Sequence, residues 1–176
     1  MGLYEFFQKA CKMDERREEE RIRRELAKKE IEKRQKESQL RYENSVKKLP
    51  EMSQVRSGAE FEDWLVILFK MMGYQTKNMQ LTGDQGIDLI VAKENVRYGI
   101  QAKYYSESVG NAAVQQVIAG REFYGLEQGA VITNSTYTPS AKKLAAKTNI
   151  RLIDGTELKK IVALARQGKV SGGVLQ

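Results

Sequence analysis

The chain has 176 residues, 30 of them Lys or Arg and 23 Asp or Glu, for a net charge of +7. That length holds one domain with a real core plus an appendage, and the basic excess suits polyanionic partners without demanding them. Histidine is absent, which excludes Ser-His-Asp and Cys-His catalysis and histidine-ligated zinc, and the single cysteine, Cys11, excludes intrachain disulfides and fits a reducing, cytoplasmic setting.

The opening stretch, Met1-Gly2-Leu3-Tyr4-Glu5-Phe6-Phe7, lacks the basic segment and long apolar core of a signal peptide. No run of 18 apolar residues is present to cross a membrane. Residues 12–37 carry 20 charged side chains in 26, with no Gly or Pro. Glu19–Arg23, Glu20–Arg24, Glu25–Lys29, Glu30–Arg34 and Glu32–Lys36 are i,i+4 pairs in the favourable order, each adding about 0.2–0.5 kcal/mol to an isolated helix. A long charged helix is therefore expected within residues 1–49. Its apolar positions, Ile22, Leu26, Ile31, Leu40, Tyr42 and Val46, sustain no heptad. Two readings stay open: a solvated, charge-paired helix, and one that binds a partner protein or a second copy of the chain.

After Leu49-Pro50 the composition becomes globular, and residues 50–167 are expected to form one domain. Residues 57–72 read as a helix, with Ser57 to cap it and Gly73 to end it. Apolar residues cover most of its circumference, so it is expected to be buried. Tyr74–Gln80 reads as a strand and Thr82-Gly83-Asp84-Gln85-Gly86 as a turn. Ile87–Ala92 and Val96–Tyr104 read as strands joined at Glu94-Asn95, hence antiparallel. Asn111–Tyr124 is a helix with Ala112, Ala113, Val114, Val117 and Ile118 inward; Gly129–Thr133 is a short buried strand. Thr138-Pro139 opens a helix running to Lys147, and Ile150–Ile153 is a strand. Asp154-Gly155-Thr156-Glu157 has the capping-box pattern and opens a last helix. The Gly-rich residues 168–176 read as a flexible tail. A hairpin feeding a strand–helix–strand crossover implies an α/β fold: a mixed β-sheet flanked by helices on both faces.

The chemistry of interest lies on the central hairpin. Alternation along a strand puts Gln101 and Lys103 on one face and Ala102 on the other. With Asp88 beside them, a carboxylate, a neutral amide oxygen and an ammonium converge. That set suits phosphodiester hydrolysis: a hard divalent cation takes oxygen ligands, lowers the pKa of a bound water and neutralises charge on phosphate, and the lysine holds the nucleophile or screens developing charge. Read singly, each residue also has an ordinary structural role. Asp88 suits a strand-end cap, Gln101 a buried amide satisfied by backbone, and Lys103 an edge-strand charge.

Between residues 57 and 163 the chain resembles the catalytic domain of Mrr-type restriction endonucleases, of the PD-(D/E)xK nuclease superfamily. The resemblance is carried by Gly58-Ala59-Glu60-Phe61-Glu62, Thr82-Gly83-Asp84-Gln85-Gly86-Ile87-Asp88-Leu89-Ile90 and Ile100-Gln101-Ala102-Lys103-Tyr104. Val109-Gly110-Asn111-Ala112-Ala113-Val114-Gln115, Val131-Ile132-Thr133-Asn134-Ser135-Thr136-Tyr137-Thr138 and Leu152-Ile153-Asp154-Gly155 continue it. It implies a restriction-endonuclease-like fold and a Mg²⁺-dependent DNA endonuclease, with Mn²⁺ as a substitute. Asp88 matches the metal-binding aspartate, Gln101 and Lys103 a Gln-x-Lys variant of the acidic-x-Lys element, and Glu62 a helix glutamate that assists the metal. A neutral amide binds a cation less strongly than a carboxylate, so a second acid is expected. Glu62 is the first candidate, with Glu60 and Asp84 as alternates.

Gln115 is an accessory candidate, and Tyr104, Lys142 and Lys143 are candidate DNA contacts, although strand-end packing and a solvated basic face account for them equally well. Tyr105 is a second aromatic of the same kind, and Asn134, Ser135 and Thr136 either meet phosphate or form a turn. Residues 1–49 offer a charged helix where those restriction enzymes usually carry a separate DNA-recognition domain. The expected role is defence against foreign DNA, or mobile-element or repair processing. The rivals are a catalytically weak or inactive DNA-binding relative, and a nuclease subunit addressed by a partner protein through the N-terminal helix. A homodimer is expected if both strands are cut.

Overall fold

The structure is a computed structural model and describes residues 2, 19–33, 36–37, 40, 49–79, 85–169 and 173–175. The chain divides into two compact units, Met1–Asn44 and Ser45–Gln176. In the first, residues 19–33 form helix α1, every residue of it exposed. Of the expected i,i+4 pairs, Arg24 meets Glu20 at 3.8 Å, while Ile22, Leu26 and Ile31 stand in solvent. Cys11, Asp84 and the apolar opening stretch lie outside the described residues.

Leu49, the first described residue of the second unit, is already buried. The Pro50 carbonyl accepts from Trp64 Nε1 at 2.9 Å, and Glu51 pairs with Arg166 at 2.5 Å. Helix α2 (Gly58–Met71) starts where Ser57 Oγ accepts from Glu60 N at 3.2 Å. It buries Phe61, Trp64, Leu65, Leu68, Phe69 and Met71, each contributing about 1.5–3 kcal/mol relative to an exposed side chain. Strands β1 (Gln75–Asn78), β2 (Leu89–Lys93), β3 (Val96–Lys103), β4 (Gln128–Thr133) and β5 (Ile150–Ile153) lie in sequence order in one five-stranded sheet. The first three are antiparallel and the last three parallel. Glu94 and Asn95 both take positive φ, 53° and 67°, which gives the two-residue hairpin its twist.

Helices α3 (Asn111–Phe123) and α4 (Pro139–Thr148) pack on each other over β3, β4 and β5; α2 and α5 (Gly155–Arg166) pack on each other and cover the sheet from the other side. Alternation sorts β3 accordingly. A Cβ at Gly99 would meet Ile87 and Leu126, which pack with α3, so Gly99, Gln101 and Lys103 face α3. Tyr98, Ile100, Ala102 and Tyr104 face α2, where Tyr104 packs on Phe61. Thr138 caps α4 by accepting from Ala141 N at 3.2 Å. Tyr137 ties the parallel strands together: its hydroxyl donates to Val131 O at 2.7 Å and Ile153 O at 3.1 Å.

The fold matches the expected α/β sheet, with three local differences. Ala112 is exposed rather than inward, because the buried stripe of α3 runs through Ala113, Val114, Val117 and Gly120. Asp154 caps α5 through Thr156 N and Glu157 N, but Glu157 turns to Arg151 instead of closing the capping box. Leu175, within the expected flexible tail, is 3% exposed and lies in a hollow with Val96, Tyr98, Ala145 and Ile150.

Candidate active site

The site is built where β2 begins and β3 ends. Gly86, at φ +84°, lets the chain cross the backbone of α3: a Cβ there would stand 2.5 Å from the Gln116 carbonyl oxygen. Gly120 completes the approach from the helix side, since a Cβ on it would lie 2.5 Å from Ile87 Cγ1 and 2.6 Å from Gln85 O. Two side-chain-free positions thus seat Gln85–Ile87 on α3 and deliver the next residue, Asp88, to the sheet. Its backbone is held on both sides: Asp88 N donates to Ile100 O, and Asp88 O accepts from Met79 N, both at 2.9 Å.

Asp88 is 5% exposed and Gln101 4%. Asp88 Oδ2 accepts from Gln101 Nε2 at 2.5 Å and from Ala102 N at 2.7 Å. Such bonds to an ionised acceptor are about twice as strong as neutral ones. Gln101 Oε1, by contrast, is buried with no hydrogen-bond partner among the described residues. Leaving a buried carbonyl unmatched costs roughly 1–3 kcal/mol, so the amide is ordered with one end satisfied and the other bare. Lys103 follows two residues later on the same face and is half-buried.

A bare amide oxygen beside a buried carboxylate is an oxygen donor set suited to Mg²⁺ or Mn²⁺. Among the described residues there is no cluster of three acidic, histidine or cysteine side chains. Glu60 is engaged elsewhere: its Oε2 accepts from Arg56 N at 2.7 Å at the exposed start of α2. Glu62 is half-buried. Its neighbour Phe61 tilts against Tyr104, ring centroids 5.5 Å apart, so the first turns of α2 reach the end of β3 that carries Lys103.

The outer candidates separate clearly. Tyr104 donates its hydroxyl to Val55 O at 2.8 Å and packs on Phe61, so it belongs to the α2 face. Gln115, Lys142 and Lys143 are exposed on α3 and α4. Asn134, Ser135 and Thr136 form the turn: Ser135 N donates to Thr133 Oγ1, Thr136 O accepts from Val109 N, and Asn134 binds the Tyr105 backbone. That last contact escaped the sequence reading, because it joins residues 29 apart through the parallel β3–β4 register.

Solved structures share the fold. A protein of unknown function, AF1548, aligns over 61% of this chain and 65% of its own, at 22% identity and a TM-score of 0.52. The DNA modification-dependent restriction endonuclease AspBHI aligns over 76% of this chain and 36% of its own, at 20% identity and a TM-score of 0.47. The MspJI restriction endonuclease, solved in complex with a 27-mer oligonucleotide, aligns over 73% and 32%, at 19% identity and a TM-score of 0.45. The chain thus spans less than two thirds of each of these structures. No curated protein matches it in sequence. The model of one protein family, described as restriction endonuclease and covering the Mrr catalytic domain, matches residues 54–162, from just ahead of α2 to within α5. With more than half of its length matched, and the matched span holding Asp88, Gln101 and Lys103, the chain belongs to the Mrr-type restriction endonuclease family.

Proposed function

We propose that the domain hydrolyses DNA phosphodiester bonds with Mg²⁺, or Mn²⁺ in its place, held by Asp88 and Gln101. The observation that carries this reading is the buried Asp88–Gln101 pair with one amide oxygen left bare, two residues before Lys103 on the same strand. When bound, the cation supplies Lewis acidity toward the phosphate and acidifies water. The protein supplies the rest. Ala102 N and Gln101 Nε2 hold the Asp88 carboxylate fixed in orientation. The Lys103 ammonium orients the attacking water and screens charge that builds on the phosphate oxygens. Glu62 completes the acidic set, directly or through water.

The role that fits is defence against foreign DNA, or mobile-element or repair processing. Plasmid DNA with Mg²⁺ tests the reading. The wild-type chain should nick it, and Asp88→Ala or Lys103→Ala should reduce nicking at least about a hundredfold, the scale of losing an electrostatic or acid–base group. A folded wild-type chain that binds DNA and cuts no form of it, with Mg²⁺ or Mn²⁺, would make it a non-catalytic DNA-binding relative, a reading the neutral Gln101 also accommodates.

A further inference from the structure

We propose that Tyr105 is an aromatic stacking contact for the nucleic acid and that Asn134 is the residue that positions it. The inference rests on the nuclease reading and adds a substrate contact to it. The two tyrosines after Lys103 have different surroundings. Tyr104 is committed to Phe61 and Val55. Tyr105 is 51% exposed, and no aromatic ring among the described residues packs on it.

An exposed tyrosine by itself needs no explanation. The backbone beneath this one does. Asn134 Oδ1 accepts from Tyr105 N at 2.8 Å, and Asn134 Nδ2 donates to Tyr105 O at 3.0 Å. The last paired positions of β3 and β4 are Lys103 and Thr133. The Asn134 amide therefore continues the pairing past the end of the ladder, with a side chain in place of a strand. The chain beyond is fastened as well. Ser108 Oγ bonds Thr136 Oγ1 at 2.7 Å, Val109 bridges to Tyr137, and Gly155 N donates to Ser135 O at 2.8 Å.

The consequence is a ring on a fixed platform two residues beyond Lys103, at the carboxyl ends of the parallel strands, where open α/β sheets place their ligands. A tyrosine loses little side-chain entropy on contact, and base–aromatic stacking tolerates any sequence. The flanking exposed residues, Ser106, Glu107 and Ser108, bring no cation. The contact is therefore made by the ring and not by charge, and it is strongest where a base is free of its partner.

Anisotropy of a fluorescein-labelled single strand, and of the duplex of the same sequence, tests this with the full chain in Ca²⁺. Tyr105→Ala should weaken binding about tenfold, more for the single strand than for the duplex. The slope of log Kd against log salt should not change, because no phosphate contact is removed. Tyr105→Phe should stay within about twofold of wild type, the stacking face being kept. Asn134→Ala should weaken binding less than Tyr105→Ala and add nothing to it in the double variant, a coupling that a purely structural role would not produce. Trp64 is the single tryptophan and is buried, so Tyr105→Trp gives a direct signal: its emission should be quenched when the oligonucleotide is added. Wild-type affinity in Tyr105→Ala, no quenching in Tyr105→Trp, or no binding by the wild-type chain would each overturn the proposal. A chain that binds, loses affinity in Tyr105→Ala and still cuts no DNA would keep the stacking contact and overturn the hydrolytic reading instead.

Discussion

Replacing Gln101 by leucine separates stability from metal binding in a way an ordinary buried glutamine would not. The substitution removes the Nε2 bond to Asp88 Oδ2, a loss of roughly 1.5–3 kcal/mol for a bond to a charged group. It also removes the bare, buried Oε1, a relief of roughly 1–3 kcal/mol. Asp88 Oδ2 keeps its bond from Ala102 N. The two terms nearly cancel, so Gln101→Leu should unfold within about 1 kcal/mol of wild type without metal, or roughly 2–4 °C in Tm. The added stability that wild type gains from Mg²⁺ or Mn²⁺ should vanish, and nicking with it. Gln101→Glu is the complement. Two carboxylates 2.5 Å apart with no proton between them repel by up to about 7 kcal/mol at an effective dielectric near 20. That variant should melt well below wild type without metal and recover when Mg²⁺ is added. Thermal unfolding with and without cation measures both. A Gln101→Leu loss of 3 kcal/mol or more, or a Gln101→Glu variant as stable as wild type in EDTA, would refute the reasoning.

Three further predictions test the frame around the site. Gly→Ala in an open helix stabilises by about 1 kcal/mol, but at Gly120 the new methyl would stand 2.5 Å from Ile87 Cγ1 and 2.6 Å from Gln85 O; Gly120→Ala should therefore lower Tm, and a rise would refute the close seating of Gln85–Ile87 on α3. Tyr137→Phe strips the donor from Val131 O and Ile153 O and should cost about 1–3 kcal/mol in urea unfolding; no change would mean the hydroxyl does not join β4 to β5. Hydrogen bonding from Arg97 holds the Glu127 carboxyl down at about 2, from an ordinary 4.5. A depressed folded-state value stabilises above the unfolded pKa and is lost as pH falls through the folded one. Glu127→Gln should accordingly unfold more easily than wild type above pH ~4.5 and converge with it toward pH ~2; a gap constant across that window would contradict the pairing.

Capping and hairpin chemistry were legible in the sequence because they are local. Ser57, Thr138-Pro139 and Asp154 act on backbone within three residues, and Glu94-Asn95 turns the chain by its own φ angles. The meeting of Asp88 with Gln101 was legible because a two-residue hairpin fixes the register of β2 on β3. What escaped depends on distant partners. Glu60 and Glu62 flank the apolar face of α2 alike, and the bond from Arg56 N to Glu60 comes from outside the helix. Tyr104 and Tyr105 read as equivalent strand-end aromatics until Val55 and Phe61 claim the first and Asn134 holds the backbone of the second. Ala112 carries too little apolar surface to signal its face, and the buried Leu175 shares a hollow with Val96 and Ile150, far from it in sequence.

The most direct test of the account is a crystal structure of the protein with Mn²⁺, read by anomalous scattering. The account predicts one anomalous peak within ligand distance of both the Asp88 carboxylate and Gln101 Oε1, with the Nε2 end of the amide still on Asp88. Crystals of a chain that nicks DNA in Mn²⁺, yet hold the ion elsewhere or turn the Gln101 oxygen onto a protein donor, would contradict it.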